Sequence, residues 1–279
     1  MQGEFTMSGT HFVTSALLAL AVGTSASVQA ADVDASLHAE LERISHRRIF
    51  FGHQSVGVNL LDGVRQLARM AGVPVRIAEI KEAGSMEGAM IGHTFIADNE
   101  NPLKKLKSFE QAMDTRPASV DIALMKFCFV DFSAETDVQM LFARYSASIN
   151  NLRVKHPGTT FVHVTAPLTA VEGGLKARAK YLLGYAPLYE TMENMRREEY
   201  NTLLRKAYQG REPIFDLARV ESTAPDGTME AVKWKGMVVP VMTPEYTSDG
   251  GHLNDAGQLR AARELVRILA SIPERTAAR

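Results

Sequence analysis

The apolar residues of this chain alternate between two rhythms. In some stretches they recur every three or four positions, as on one face of a helix; in others they form short, nearly continuous runs. Asp34–Ser45 reads as an amphipathic helix, and Arg48–Gly52 (RIFFG) as a short apolar strand. Val56–Ala71 returns to helical spacing, with Val58, Leu60, Leu61, Val64 and Leu67 along one face. Pro74–Ile80 predicts a second strand, and Val120–Phe127 (VDIALMKF) and Thr159–Thr165 (TTFVHVT) two more. Runs of that kind suit strands covered on both faces in a parallel sheet. Helices are expected over Thr136–Val154, Glu193–Tyr208 and Asn254–Ala270, and a fifth strand at Pro213–Leu217 (PIFDL). Two regions break the rhythm. Ile91–Pro102 reads as a loop, and Ser222–Tyr246 as a long connection with a hairpin turning near Lys233-Trp234-Lys235-Gly236.

This alternation of strand and helix predicts a doubly wound α/β domain with helices on both faces of a five-stranded, mostly parallel sheet. Functional side chains are then expected at the carboxyl ends of the strands. No repeat, linker or low-complexity tract divides residues 31–279, so one domain is expected there. With 279 residues, 46% of them hydrophobic, the chain is long enough for a substantial core.

Charge narrows the partners. The net charge is -1 and the basic residues are dispersed, so no field calls for nucleic acid. The single cysteine, Cys128, lies in an apolar run and reads as a buried thiol. His11–Val22 is apolar but too short to span a bilayer, and small residues follow up to Val28-Gln29-Ala30. Residues 1–30 are therefore expected to be a signal peptide, with Met1 or Met7 as the start. The mature protein is then periplasmic or secreted, with no stable membrane insertion.

The candidate chemistry lies at the two ends of that domain. Asp249-Gly250-Gly251-His252 sets a carboxylate three residues before an imidazole across a Gly-Gly turn. A carboxylate there can fix the tautomer of a general-base histidine. Ser55, in Gly52-His53-Gln54-Ser55-Val56-Gly57, falls where a strand gives way to a helix, a place for a nucleophile or for a simple N-cap. A metal set of His252, Asp249 and Asp255 lacks a second histidine at ligand spacing. His163 reads as a core histidine, Lys126 and Asp131 as a possible pair, and Asn194, Arg197 and Arg205 as structural or surface groups. Tyr181, Tyr185 and Tyr189 precede a helix and could form a sugar-stacking wall.

Ser55 together with Asp249 and His252 resembles the SGNH/GDSL hydrolase superfamily, and in particular a bacterial branch with G-H-Q-S-V-G at the nucleophile. The likeness runs over about residues 48–270. It is carried by Ile49–Gly57, Asn59–Gly63, Lys126–Asp131, Thr165–Leu168, Phe215–Ala218 and Tyr246–Asn254. It implies a three-layer α/β/α sandwich of flavodoxin-like type and a Ser55–His252–Asp249 triad that forms an acyl-serine, with no cofactor and no metal. It also implies an acylated carbohydrate or other small ester as substrate. An acyltransferase using the same triad, and a non-catalytic glycan-binding protein of the same fold, are the alternatives.

The resemblance implies an oxyanion hole as well, and there the chain departs from the pattern. Val130 stands where an asparagine is usual, and Ala97 where the branch tends to have glycine. The expected donors are the N–H groups of Ser55 and Ala97, the latter with a negative φ, and the side chain of Asn99, with Gly92 as an alternative. Gln54 and His53 flank the nucleophile and are expected either to contact substrate or to satisfy the loop backbone. Loss of one oxyanion donor costs about 10²–10³ in turnover, so these departures imply a slow enzyme.

Overall fold

The computed structural model describes residues 35–80, 86–115, 120–171 and 175–274. The expected signal segment, residues 1–30, lies outside them. Of the described residues, those from Leu37 onward belong to one compact unit. None of the described helices is long and apolar enough to cross a membrane.

The central sheet runs β2-β3-β1-β4-β5-β6, and every pairing in it is parallel. Its strands are β1 (Arg48–His53), β2 (Ile77–Glu79), β3 (Met90–Phe95), β4 (Ile122–Met125), β5 (Thr160–Val164) and β6 (Ile214–Phe215). Alternate residues of one strand feed opposite cores. Ile49 and Phe51 of β1, with Ile122 and Leu124 of β4, point to one face. Phe50, Ala123 and Met125 point to the other. This double burial is why those strands read as unbroken apolar runs.

The first face is covered by α1 (35–45), α2 (Ser55–Ala71), α7 (Leu217–Glu221) and α8 (Asp255–Ser271). The second is covered by α3 (Pro102–Asp114), α4 (Val138–Lys155) and α6 (Thr191–Tyr208). Helix α5 (Leu175–Leu182) buries none of its residues. The hairpin expected near Lys233–Gly236 is present as antiparallel β7 (Ala231–Trp234) and β8 (Met237–Pro240).

The sheet has six strands, not five. The extra one, β3, falls in the stretch read as a loop from Ile91 to Pro102, and it is a central strand between β2 and β1. Its sequence, MIGHTF, hides its nature because its middle is glycine, histidine and threonine. The first two have a tertiary reason. A Cβ at Gly92 would lie 2.4 Å from Ile80 Cδ1, so a larger residue there would require that side chain to shift. His93 is buried and meets another histidine of the sheet.

The chain leaves β1 to one side, for β2 and β3, and returns to the other for β4. The crevice at the carboxyl ends of β1 and β4 is therefore the topological switch point, where ligands bind in such sheets.

Candidate active site

Strand β1 ends at His53, and Ser55 begins α2 one residue after the N-cap Gln54. As the first helical residue, Ser55 has a backbone N–H with no partner inside the helix, at the positive end of its dipole.

The opposite wall is the turn before α8. Asn254 caps that helix by accepting from the Gly257 N–H at 3.0 Å, and its amide donates to the Glu245 carbonyl at 2.9 Å. The Leu253 N–H donates to Asn59 Oδ1 of α2 at 3.3 Å, tying the turn to the helix that carries Ser55. Within the turn, Asp249 Oδ1 accepts from the N–H groups of Gly251 at 2.9 Å and His252 at 2.7 Å. Its Oδ2 lies 2.7 Å from His252 Nδ1, and His252 Nε2 lies 2.9 Å from Ser55 Oγ.

The protons follow from this geometry. The backbone N–H groups of His252 and Gly251 hold the Asp249 carboxyl well below the usual carboxylate range. An ionised carboxylate only accepts, so His252 Nδ1 carries the proton and Nε2 is left to accept from the Ser55 hydroxyl. Residues 197 positions apart in sequence thus form one hydrogen-bonded chain. The Phe129 ring packs edge-on against His252, with centroids 5.6 Å apart, and restrains the imidazole from its other side.

The flanking residues have different duties from those expected. His53 is fully buried; its Nδ1 bonds the Gln54 carbonyl at 2.8 Å and its Nε2 meets His93 Nδ1 at 3.0 Å. Burial lowers its pKa to about 3, so it is neutral. Gln54 donates from Nε2 to the carbonyls of Ile96, at 3.1 Å, and Ala97. Both side chains bond the protein's own loops, the second of the two roles expected for them. Gly92 is likewise removed as a donor candidate, since it lies within β3 between paired strands.

Ala97 is held by Gln54 in the loop after β3, next to the nucleophile segment, where the Ile96 N–H donates to the His53 carbonyl at 3.1 Å. Its φ is +39, not the negative value expected. Asn99 follows, and its Oδ1 accepts from Lys105 Nζ at 2.8 Å. That bond orients the amide and leaves Nδ2 as its donating group. Lys105 also donates to both oxygens of Asp131, at 2.9 and 2.7 Å. Asp131 therefore pairs with Lys105 and not with Lys126, whose Nζ donates to the Phe127 carbonyl at 3.1 Å.

His163 is a core histidine, 2.8 Å from both the Tyr145 hydroxyl and Glu212. Asn194 and Arg197 are buried and brace the loop after β5. Among the described residues, no group of three or more His, Cys, Asp or Glu is placed to hold a metal.

Lys105, Phe129, Thr169 and Glu190 matter to this site and carry no local signal in the sequence. Phe129 lies within a block quoted for the resemblance, but its contact with His252 is purely tertiary.

No family model matches the chain, and no curated protein does. Solved structures similar to it include a GDSL-like lipase from Bacteroides thetaiotaomicron VPI-5482. That match has 11% identity over 87% of this chain and 94% of the other, with a TM-score of 0.46. The periplasmic domain of a lipopolysaccharide acetyltransferase from Salmonella ser. Paratyphi A has 12% identity over 90% and 98%, with a TM-score of 0.42. The acetyl xylan esterase AlAXEase has 13% identity over 80% and 98%, with a TM-score of 0.42.

Proposed function

We propose that the protein is a serine esterase that removes an acyl group, most simply acetyl, from a carbohydrate through an acyl-serine intermediate. The observation that carries this reading is the unbroken chain Ser55 Oγ–His252 Nε2 (2.9 Å), His252 Nδ1–Asp249 Oδ2 (2.7 Å). In it, His252 takes the Ser55 proton as Oγ attacks the ester carbonyl, and Asp249 stabilises the imidazolium that results. The tetrahedral oxyanion meets the Ser55 N–H and Asn99 Nδ2, with the Ala97 N–H as a further donor in spite of its positive φ. Collapse breaks the bond to the alcohol, which leaves with the proton from His252. Water, activated by the same imidazole, then releases the acid and restores Ser55.

The site of action is outside the cytoplasm, periplasmic or secreted, on the strength of the apolar stretch His11–Val22 and the small residues after it.

The test is 4-nitrophenyl acetate turnover by the protein beside its Ser55→Ala variant. Turnover lost in the variant is the expected result. Equal rates in the two proteins would refute the esterase reading.

A further inference from the structure

A cavity of about 180 Å³ opens beside His252. Its walls are Phe129, Thr169, Tyr189, Glu190 and the Asp249–His252 turn, and Ser55 is not among them. It is lined by the imidazole, whose Nε2 lies 2.9 Å from Ser55 Oγ, and extends to the side away from the nucleophile helix. In the reaction above, the acyl group is bonded to Ser55, and the alcohol is the part that takes a proton from His252. A cavity lined by His252 without Ser55 is placed for the alcohol.

The construction of its far wall is specific. Glu190 is the N-cap of α6 and has a φ of +65, a conformation that non-glycine residues seldom hold without cause. Its Oε2 accepts from Arg197 at 2.7 Å and from the Thr169 hydroxyl at 3.1 Å. Arg197 is 1% exposed and is locked in turn by the Phe129 carbonyl, Thr169 and Asn194. The guanidinium thus neutralises Glu190 from inside the protein while remaining out of reach of a ligand. Tyr189, 72% exposed, stands at the rim.

These features select a ligand chemistry. A cation gains little, because the Glu190 charge is already met by Arg197. An anion is repelled by the Asp249 carboxylate in its wall. A long acyl chain does not fit a space well below the roughly 300–1,000 Å³ of drug-sized sites. What fits is a small neutral group with hydroxyls for a carboxylate to accept from and a C–H face for an aromatic ring.

We propose that this cavity is the alcohol subsite and takes one neutral sugar residue, with Glu190 accepting from its hydroxyls and Tyr189 packing on its ring. The inference rests on the esterase reading and extends it by placing the substrate's leaving group.

The test compares acetate release from partially acetylated cellobiose with turnover of 4-nitrophenyl acetate, whose leaving group has no hydroxyls to offer. In Glu190→Gln and in Tyr189→Ala, the ratio of kcat/KM for the sugar ester to that for the nitrophenyl ester is expected to fall about tenfold. Tyr189→Ala guards against a folding defect, since that side chain is largely outside the core. An unchanged ratio in both variants overturns the subsite. So does Ser55-dependent turnover of nitrophenyl acetate by a wild-type protein that leaves the sugar ester intact, a result that spares the esterase reading. If neither ester is turned over, the esterase reading fails by itself. The cavity is then judged by ligand-observed NMR with cellobiose on Ser55→Ala: binding lost in the added Tyr189→Ala change upholds it, and no binding overturns it.

Discussion

Lys105 Nζ donates to both carboxylate oxygens of Asp131, at 2.9 and 2.7 Å, and neither side chain has any exposure to solvent. The pair joins α3 to the turn after β4. The same ammonium orients Asn99, while Asp131 also accepts from the N–H groups of Glu100 and Cys128. One buried ion pair thus holds two of the loops that close over the switch point. Removing one partner leaves an uncompensated buried charge. Lys105→Met is expected to lower stability by about 3–5 kcal/mol, as read from urea unfolding. A loss below ~1 kcal/mol would show that the pair is not sealed from water.

Asp249→Asn tests the proton assignment. An asparagine can still accept from the two backbone N–H groups, but it then turns its NH2 toward His252 Nδ1. That favours the tautomer with the proton on Nε2, which cannot accept from Ser55. A fall in kcat of about 10⁴ is expected, with the fold unchanged by circular dichroism. A fall of less than tenfold would mean that His252 keeps its tautomer without Asp249.

Asn99→Ala removes the proposed side-chain donor to the oxyanion. A drop of about 10²–10³ in kcat, with KM little altered, is expected. If kcat holds, the side chain serves only the Lys105 bond and the hole is built from backbone alone.

Ala97→Gly addresses strain. A φ of +39 is unfavourable for alanine and open to glycine. The gain is offset in part by the greater freedom of glycine in the unfolded chain. The net expectation is a rise in stability of up to ~1 kcal/mol, seen as a higher Tm by calorimetry. A lower Tm would show that the Gln54 clamp, and not the residue, meets the cost of this conformation.

Glu221 predicts a pH dependence of stability. It is fully buried; one oxygen accepts from the Leu168 N–H at 2.6 Å and the other has no partner. Burial raises its pKa from 4.5 to about 8, so the folded protein keeps a proton that the unfolded chain has released. The contribution is full below pH 4.5 and is lost as the pH climbs toward 8. Glu221→Gln, which stays neutral, should gain on the wild type over that interval when unfolding is followed at pH 5, 7 and 9. A constant difference across the three would place the carboxyl near its ordinary pKa.

Much of this was legible along the chain. The apolar runs at Ile122–Met125 and Thr160–Val164 announce strands because both their faces are buried, and such strands have no polar side to disguise them. Helix α8 declares its start through Asn254, a cap whose side chain acts three residues away. Strand β3 escaped for the converse reason. Its centre is Gly92 and His93, chosen for the approach of Ile80 and the meeting with His53, and neither neighbour lies within the strand itself.

The sequence by itself determined the α/β alternation, the covering helices α1, α2, α4, α6 and α8 but not α3 or α7, and the three residues Ser55, Asp249 and His252 as a candidate set. These depend on periodicity, on caps and on a spacing of three residues across a Gly-Gly turn, all of which act over a few positions. The tertiary structure alone decided that Ser55 and His252 stand 2.9 Å apart, that Gln54 and His53 serve their own loops, and that Arg197 disarms the charge of Glu190 beside the site. Each is a contact between elements brought together by the parallel crossovers of the sheet. Hydrogen-bond geometry and burial there depend on distances in space that no local pattern encodes.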